Sequence, residues 1–339
     1  MRCTSYAVLA RRKFYRFPCT LRDILSQVAP ACRKKPQNGS VHVTIIGAGL
    51  IGASIAWRLS QSGCAVTLID AGRFGGETSS AGAGMLSPGT EFETPSVWSS
   101  LGAESMAMYP QFVGELRAES GVAIDFQICG CKKISEETGE SQFFSNDGFV
   151  DPNHLLTALR TACKARAVDI VENCKSSMAE TADFEALVIA AGAWSKQINL
   201  THKGAMLDLP PVKPIKGHLI GFDLEPGYLG PMIRRGHSYV LQRSNGFTIA
   251  GSTEEDVGFD RTLDSNLCRQ IHDETAKLWP VLATAQPSKR WVGFRPYSDV
   301  PNIGRLDDTN VWLAYGHFRN GILLAPVTAH MISREITGK

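Results

Sequence analysis

Between Val41 and Asp70 the chain reads VHVTIIGAGLIGASIAWRLSQSGCAVTLID, and its apolar periodicity changes twice. Val41, Val43, Ile45 and Ile46 describe a short buried strand. Ile51, Ile55, Ala56 and Leu59 then recur at helical spacing until Gly63, and Ala65 to Asp70 forms the next strand. Gly47, Gly49 and Gly52 fall at the strand-to-helix junction as G-x-G-x-x-G. The first glycine permits the tight turn, the second lets a pyrophosphate approach the backbone, and the third lets helix and strand pack closely. Asp70 ends the second strand, 18 residues beyond Gly52, where a carboxylate can accept hydrogen bonds from ribose hydroxyls. Taken alone Asp70 is equally a cap or a surface acid. In register with strand, helix and strand it predicts an adenine dinucleotide with an unphosphorylated ribose. NAD and FAD are not separated by this fingerprint.

The 339 residues are enough for about two domains. With 43% hydrophobic and 20% charged residues, and no apolar run near the roughly 18 residues of a membrane span, the chain reads as soluble and globular. The net charge of +2 hides an asymmetry: residues 1–40 hold nine Lys/Arg against the single acid Asp23, and the remaining 299 carry 26 bases against 32 acids. An acidic body has no general attraction for nucleic acid, so an anionic ligand must be held by a local device. Nine cysteines without C-x-x-C spacing argue for reduced thiols rather than disulfides or zinc. The first forty residues end in Pro36-Gln37-Asn38-Gly39-Ser40, a linker-like run. They read as a transit peptide, an untidy translation start or a disordered basic arm, outside the fold. The expected location is cytoplasmic, or organellar if residues 1–40 are a transit peptide.

After Asp70 comes AGRFGGETSSAGAGMLSPGTEFE, with glycines at 72, 75, 76, 82 and 84. Such a run is either a flexible loop or backbone packed closely against something flat and extended. GAGLIG, the terminal Asp70, TSSAGAGML, WVGFRP and GHFRNGILLAP together resemble the D-amino-acid oxidase family of FAD flavoproteins, and within it the glycine-oxidase branch of thiamine biosynthesis. The similarity covers most of residues 41–339. It implies FAD as the cofactor, with Leu50 and Ile51 at the pyrophosphate turn beside Gly47, Gly49 and Gly52, and Asp70 and Ala71 at the adenosine ribose. Thr78 and Ser79 would bind phosphate, and Ala83, Gly84 and Met85 would lie along the isoalloxazine ring. Gly192 and the run His317, Phe318, Arg319, Asn320, Gly321, Ile322 and Leu323 complete the cofactor residues that it implies.

Val311 to Ala314 reads as a strand, Gly316 to Asn320 as a turn, and Gly321 to Ile336 as a helix, whose N-terminus could face the electron-rich edge of a reduced flavin. Arg295 follows the strand-like Arg290-Trp291-Val292-Gly293-Phe294. A guanidinium fork suits a carboxylate, and the resemblance makes Arg295 the substrate's carboxylate anchor, with Arg319 beside substrate and flavin. The alternatives are an exposed strand-end charge and a surface arginine. Tyr239 opens SYVLQRSNGFTIAGS, two alternating strands joined at Asn245-Gly246. The resemblance places Tyr239 over the substrate; a buried sheet tyrosine is the other reading. Glu254 matches a substrate-pocket position and would bind an amine or be exposed.

No Ser-His-Asp set, carboxylate pair or metal cluster stands out, and no residue is assigned as a catalytic acid or base. That suits flavin amine oxidation, which needs mainly orientation. The resemblance implies oxidative deamination of glycine or another small amino acid by hydride transfer to FAD, with oxygen reduced to hydrogen peroxide and, in thiamine-making relatives, the imine passed to a thiazole synthase. A sarcosine or D-amino-acid oxidase or dehydrogenase, and a flavin-binding partner protein without turnover, are the alternatives; formation of a homo-oligomer stays open. The expected fold is α/β (α+β overall): a Rossmann-like FAD-binding domain at 41–90, 150–204 and 286–339, with an interleaved antiparallel-sheet substrate domain at 91–149 and 205–285. The stretches 131–148 and 168–186 are shorter than the resemblance leads one to expect.

Overall fold

Burial shows why the first elements form where they do. Strand β1 (His42–Ile46) is covered at its last four positions and pairs in parallel with β2 (Ala65–Ile69), buried in the same pattern. Between them helix α1 (Leu50–Gln61) turns Ala53, Ile55, Ala56, Trp57 and Leu59 inward. The computed structural model describes residues 41–92, 94–175 and 178–339, so the readings made for residues 1–40 lie outside the described residues.

The other principal elements follow in chain order. They are α2 (Val97–Ser120), β3 (Cys131–Ile134), β4 (Ser141–Phe144), α3 (Pro152–Ala165), β5 (Asp169–Val171), β6 (Ala186–Ile189), β7 (Lys213–Asp223) and β8 (Met232–Arg235). Then come β9 (Ser238–Gln242), β10 (Phe247–Gly251), α4 (Ser265–Leu278), β11 (Lys289–Arg305), β12 (Val311–His317) and α5 (Ala325–Thr337). All twelve of these strands share one mixed sheet, in the order β4-β3-β8-β9-β10-β7-β11-β12-β6-β1-β2-β5. From β12 to β5 the pairing is parallel. From β12 back to β8 it is antiparallel. Fold class is therefore α/β with a large mixed sheet, and a single sheet carries both kinds of pairing. Two three-stranded sheets flank it, one built from Met85–Leu86, Gly148–Val150 and Phe126–Gln127.

The parallel strands are covered on both faces, which is why they read as short apolar runs. On one face α1, α2, α3 and α5 bury Trp57, Tyr109, Phe112, Leu155, Leu159 and Val327 against Val43 and Ile45. On the other, Ile46, Ile69, Leu187, Leu313 and Tyr315 pack with Leu200. Helix α4 covers Ile220, Phe222 and Val240 of the antiparallel half with Cys268 and Ile271. Among the described residues no helix is long and apolar enough to cross a membrane.

Two elements differ from the sequence expectation. Residues 97–120, expected within the antiparallel unit, form a 24-residue helix, opened by a reciprocal Ser96–Ser99 capping box and closed by Gly121 at φ +68°. Its buried face packs on the parallel half: the Trp57 and Phe112 rings meet edge to face at 5.3 Å. Its polar groups hold the C-terminal turn, Ser105 donating to the Leu323 carbonyl at 2.6 Å and Tyr109 to that of Ile322 at 2.5 Å. The last helix begins at Ala325 and not at Gly321. Proline is accommodated in a first turn, where no intrahelical N–H is needed, and Pro326 fixes the start there. Residues 318–320 make a single 3-10 turn, and the Leu324 amide closes on the Asn320 carbonyl at 2.8 Å.

Candidate active site

A cavity of 610 Å³ opens where β1, β2, β6 and β12 end, and extends along β7, β9 and β11. Its size suits a small-molecule site. Gly47 turns the chain at φ +109°, and a Cβ there would strike the Ala190 carbonyl. A Cβ on Gly52 would strike the Gly47 carbonyl and lie 3.3 Å from the Ala190 methyl, so helix and strand touch at that point and Gly52 itself is covered. Gly49 is the N-cap of α1 without a side-chain cap, and the Leu50 amide donates to Ser79 Oγ at 2.9 Å. Gly47, Gly49, Leu50 and Ile51 line the cavity at a helix N-terminus, the ordinary setting for an anion.

Asp70, Ala71, Thr78 and Ser79 line the next stretch. Asp70 already accepts two backbone amides, Ala48 on Oδ2 and Gly72 on Oδ1, each at 2.7 Å. Burial pushes its carboxyl above the usual range, against the pull of those bonds. Thr78 donates its hydroxyl proton to the Phe294 carbonyl at 2.6 Å, so this side chain tethers the glycine-rich loop to β11. Further on, Gly84 adopts φ +99°, where a Cβ would lie 2.0 Å from the Val150 carbonyl oxygen, and Met85 pairs with Phe149. Behind the loop a buried ion pair joins Arg243 Nη1 to Asp151 Oδ2 at 2.7 Å, and Arg243 Nη2 reaches the Ala83 carbonyl at 3.4 Å. Ala83, Gly84 and Met85 all face the cavity.

Gly192, His317, Phe318, Asn320, Gly321 and Ile322 form another wall. Leu323 does not: it is 2% exposed and belongs to the core beneath. His317 is buried, its Nε2 3.0 Å from Thr328 Oγ1, and burial pushes its pKa down to about 4. The imidazole is neutral at physiological pH and shapes the turn.

At the substrate end the structure brings together Arg295, Tyr239 and Arg319. Arg295 Nη1 donates to the Thr253 carbonyl at 2.9 Å and Nη2 to Ser252 Oγ at 2.7 Å, which fixes the guanidinium plane. Tyr239 lies over Gly251, and burial raises its phenol above the usual value, the positive charge of Arg295 opposing. Arg319 donates to Glu91 through Nε at 2.9 Å. Glu254 stands outside the lining, 3.4 Å from Arg319 Nη1 with its side chain 36% exposed.

A family description, FAD dependent oxidoreductase (DAO), matches residues 42–143 and 133–335. The chain belongs to this family. Among its relatives, the glycine oxidase of Pseudomonas aeruginosa is 26% identical over 352 residues, covering 88% of this chain and 96% of that protein. The bifunctional protein ThiO/ThiG of Synechocystis is 29% identical, covering 86% of this chain and 51% of its own length. The crystal structure of glycine oxidase from Geobacillus kaustophilus shares the fold at a TM-score of 0.82 and 24% identity, covering 88% of this chain and 96% of that one. FAD is the cofactor of this DAO-family chain, and the cavity fits it: Gly47 and Gly84 bring bare backbone to the wall where a Cβ has no room.

Several lining residues are not among the sequence candidates, including Glu91, Gly217, Arg234 and Ser252 at the substrate end. A signal existed for one of them. Glycine inside the apolar strand KPIKGHLIGF marks a close approach, and a Cβ on Gly217 would sit 2.6 Å from Arg295 Nη2. Arg234 stands in register with Tyr239 across β8 and β9, a relation visible only once the pairing is known.

Proposed function

We propose that this chain is an FAD-dependent oxidase of glycine or a similarly small amino acid. Arg295 carries the reading: a half-buried cation locked by two oxygens at one end of a cavity whose other end is a dinucleotide turn. Two of its five N–H groups are committed to Thr253 and Ser252, and the others suffice to grip a carboxylate by two parallel bonds. Tyr239 keeps its proton and can donate to the same carboxylate. Gly47, Gly49, Leu50, Ile51, Asp70, Ala71, Ser79, Gly84 and Met85 would hold the cofactor, with Thr78 securing the loop. Bound there, FAD supplies the hydride acceptor and, on reoxidation by oxygen, gives hydrogen peroxide. The protein's part is to clamp the acid end and so fix the direction of the α C–H bond. Loss of that hydride and of one N–H proton leaves an imine, which water converts to the oxo acid and ammonia.

Relatives named glycine oxidase support the small substrate. The fused ThiO/ThiG relative supports a hand-off of the imine to thiazole assembly. The test is the visible spectrum of the purified protein before and after anaerobic addition of glycine, sarcosine and D-alanine. Bleaching of the flavin band by glycine is expected. Bleaching by another of the three reassigns the substrate, and a flavin-loaded protein that none of them reduces, or a colourless one that takes up no FAD, refutes the proposal.

A further inference from the structure

The pocket holds more charge than binding one carboxylate requires. At the substrate end, besides Arg295, the guanidiniums of Arg319 and Arg234 line the cavity, and Glu91 lies between them. Its Oε1 accepts from Arg319 Nε and Nη2 at 2.9 and 2.8 Å, and its Oε2 pairs with Arg234 Nη1. The Glu91 side chain is only 13% exposed. Burial pushes its carboxyl up, but the two guanidiniums together outweigh that and hold it below the usual range, so it is ionised at neutral pH. Its backbone is fixed as well: the preceding Gly89 and Thr90 amides donate to Asp147 at 3.0 and 3.2 Å, and its own amide to the Ser87 carbonyl at 3.0 Å.

This is how two arginines would hold the carboxylate of a ligand. We infer, resting on the amino-acid oxidase reading above, that Arg234 and Arg319 form a second carboxylate subsite which Glu91 fills, so that Glu91 restricts the pocket to monocarboxylic substrates. Glu91 engages Arg319 and Arg234 and leaves Arg295 as the guanidinium free to take a single substrate carboxylate. A second acid group on the substrate would meet an ionised carboxylate and two cations already engaged, and like charges placed together are a strong means of rejection. Glu254 cannot do this work. It stands outside the lining, 3.8 Å from His237 with its side chain 36% exposed, so solvent screens it. Removing the Glu91 charge would open the subsite to amino acids bearing a second carboxylate.

Acetate and malonate test this directly, since neither has an amine to oxidise. Binding is read from the perturbation of the flavin spectrum and, independently, from the shift in thermal unfolding. The wild-type protein should prefer acetate by about tenfold or more. Glu91→Gln should tighten malonate by about tenfold or more, and the double variant Glu91→Gln/Arg234→Gln should lose most of that gain. Unchanged malonate affinity in a folded, flavin-loaded Glu91→Gln protein overturns the inference. So does a wild-type protein that binds malonate more tightly than acetate, a result that needs no variant. Glycine reduction of the wild-type flavin reports separately on the oxidase reading: its absence together with the expected acetate and malonate pattern removes that reading and leaves the subsite.

Discussion

Gly217→Ala perturbs the substrate clamp without touching a charge. Gly217 faces Gly293 across β7 and β11, and the Arg295 guanidinium lies directly over it. A Cβ there would sit 2.5 Å from Nη1, 2.6 Å from Nη2 and 2.7 Å from Cζ. Ordinary contact between such atoms begins near 3.5 Å, so the guanidinium must retreat by about 1 Å. The backbone does not oppose the change, because Gly217 has ordinary strand geometry; the movement instead breaks the bonds to Ser252 and Thr253. A displacement of about 1 Å in a positioning group costs on the order of 10²-fold in rate. Gly217→Ala should therefore lower kcat/KM for the amino acid by about 10²-fold, while FAD content and the melting temperature stay near wild type. Anaerobic flavin reduction at varied substrate concentration measures the first, and the visible-to-ultraviolet absorbance ratio with a thermal melt the others. Unchanged kcat/KM would falsify the placement of the carboxylate on Arg295.

Gly52→Ala drives a methyl into the Gly47 carbonyl, which is backbone and cannot swing aside. A loss of about 1–3 kcal/mol or more is expected, with a lowered melt and poor FAD retention; normal retention would argue against the tight helix–strand contact. Asp151→Ala strands the Arg243 charge behind the glycine-rich loop and should cost about 3–5 kcal/mol in chemical denaturation. The double variant Asp151→Ala/Arg243→Met should recover much of that, and no recovery would mean that the pair is not what holds the loop. His317 titrates near 4 when folded against 6.5 when free, so the unfolded chain binds a proton that the folded chain refuses. Stability should fall as pH drops from 6.5 toward 4, by up to about 3 kcal/mol, and the urea-unfolding profile of His317→Gln should be flatter in that window.

Strands buried on both faces announce themselves as apolar runs, which is why β1, β2 and β6 are legible without a structure. Helix α2 is harder to see because Gly102, Pro110 and Gly114 interrupt it. Its buried positions Met106, Tyr109, Phe112, Val113 and Leu116 do keep helical spacing, so the signal was present and diluted. The cofactor end of the site is legible because glycine where a Cβ has no room leaves a mark in the sequence. The charged end is not. Arg234 and Arg235 are neighbours on one strand and point to opposite faces, and which face is the cavity depends on pairing with β9. Glu91 is one of two acids in the run SPGTEFE, and its importance comes from two arginines 143 and 228 residues away in sequence. Long-range charge pairing has no local signature.

The geometry also explains why such a site can do without a catalytic base. His317 is neutral and turned toward Thr328, Tyr239 is held protonated, and the charged groups are tied to one another. What remains for the protein is distance and direction. Both are set on β11, a 17-residue strand paired with β7 on one side and β12 on the other. Phe294 receives the tether from Thr78 of the cofactor loop, and the next residue, Arg295, supplies the clamp. Phe294 and Arg295 stand opposite Lys216 and Ile215 of β7, and adjacent residues of a paired strand cannot shift independently, so the cofactor loop and the acid clamp move, if they move, as one body. Orientation held this way is cheap to keep and sensitive to damage. It follows that substitutions between Gly293 and Pro296 should disturb flavin retention and substrate KM together, whereas substitutions around Glu91 should move substrate discrimination alone.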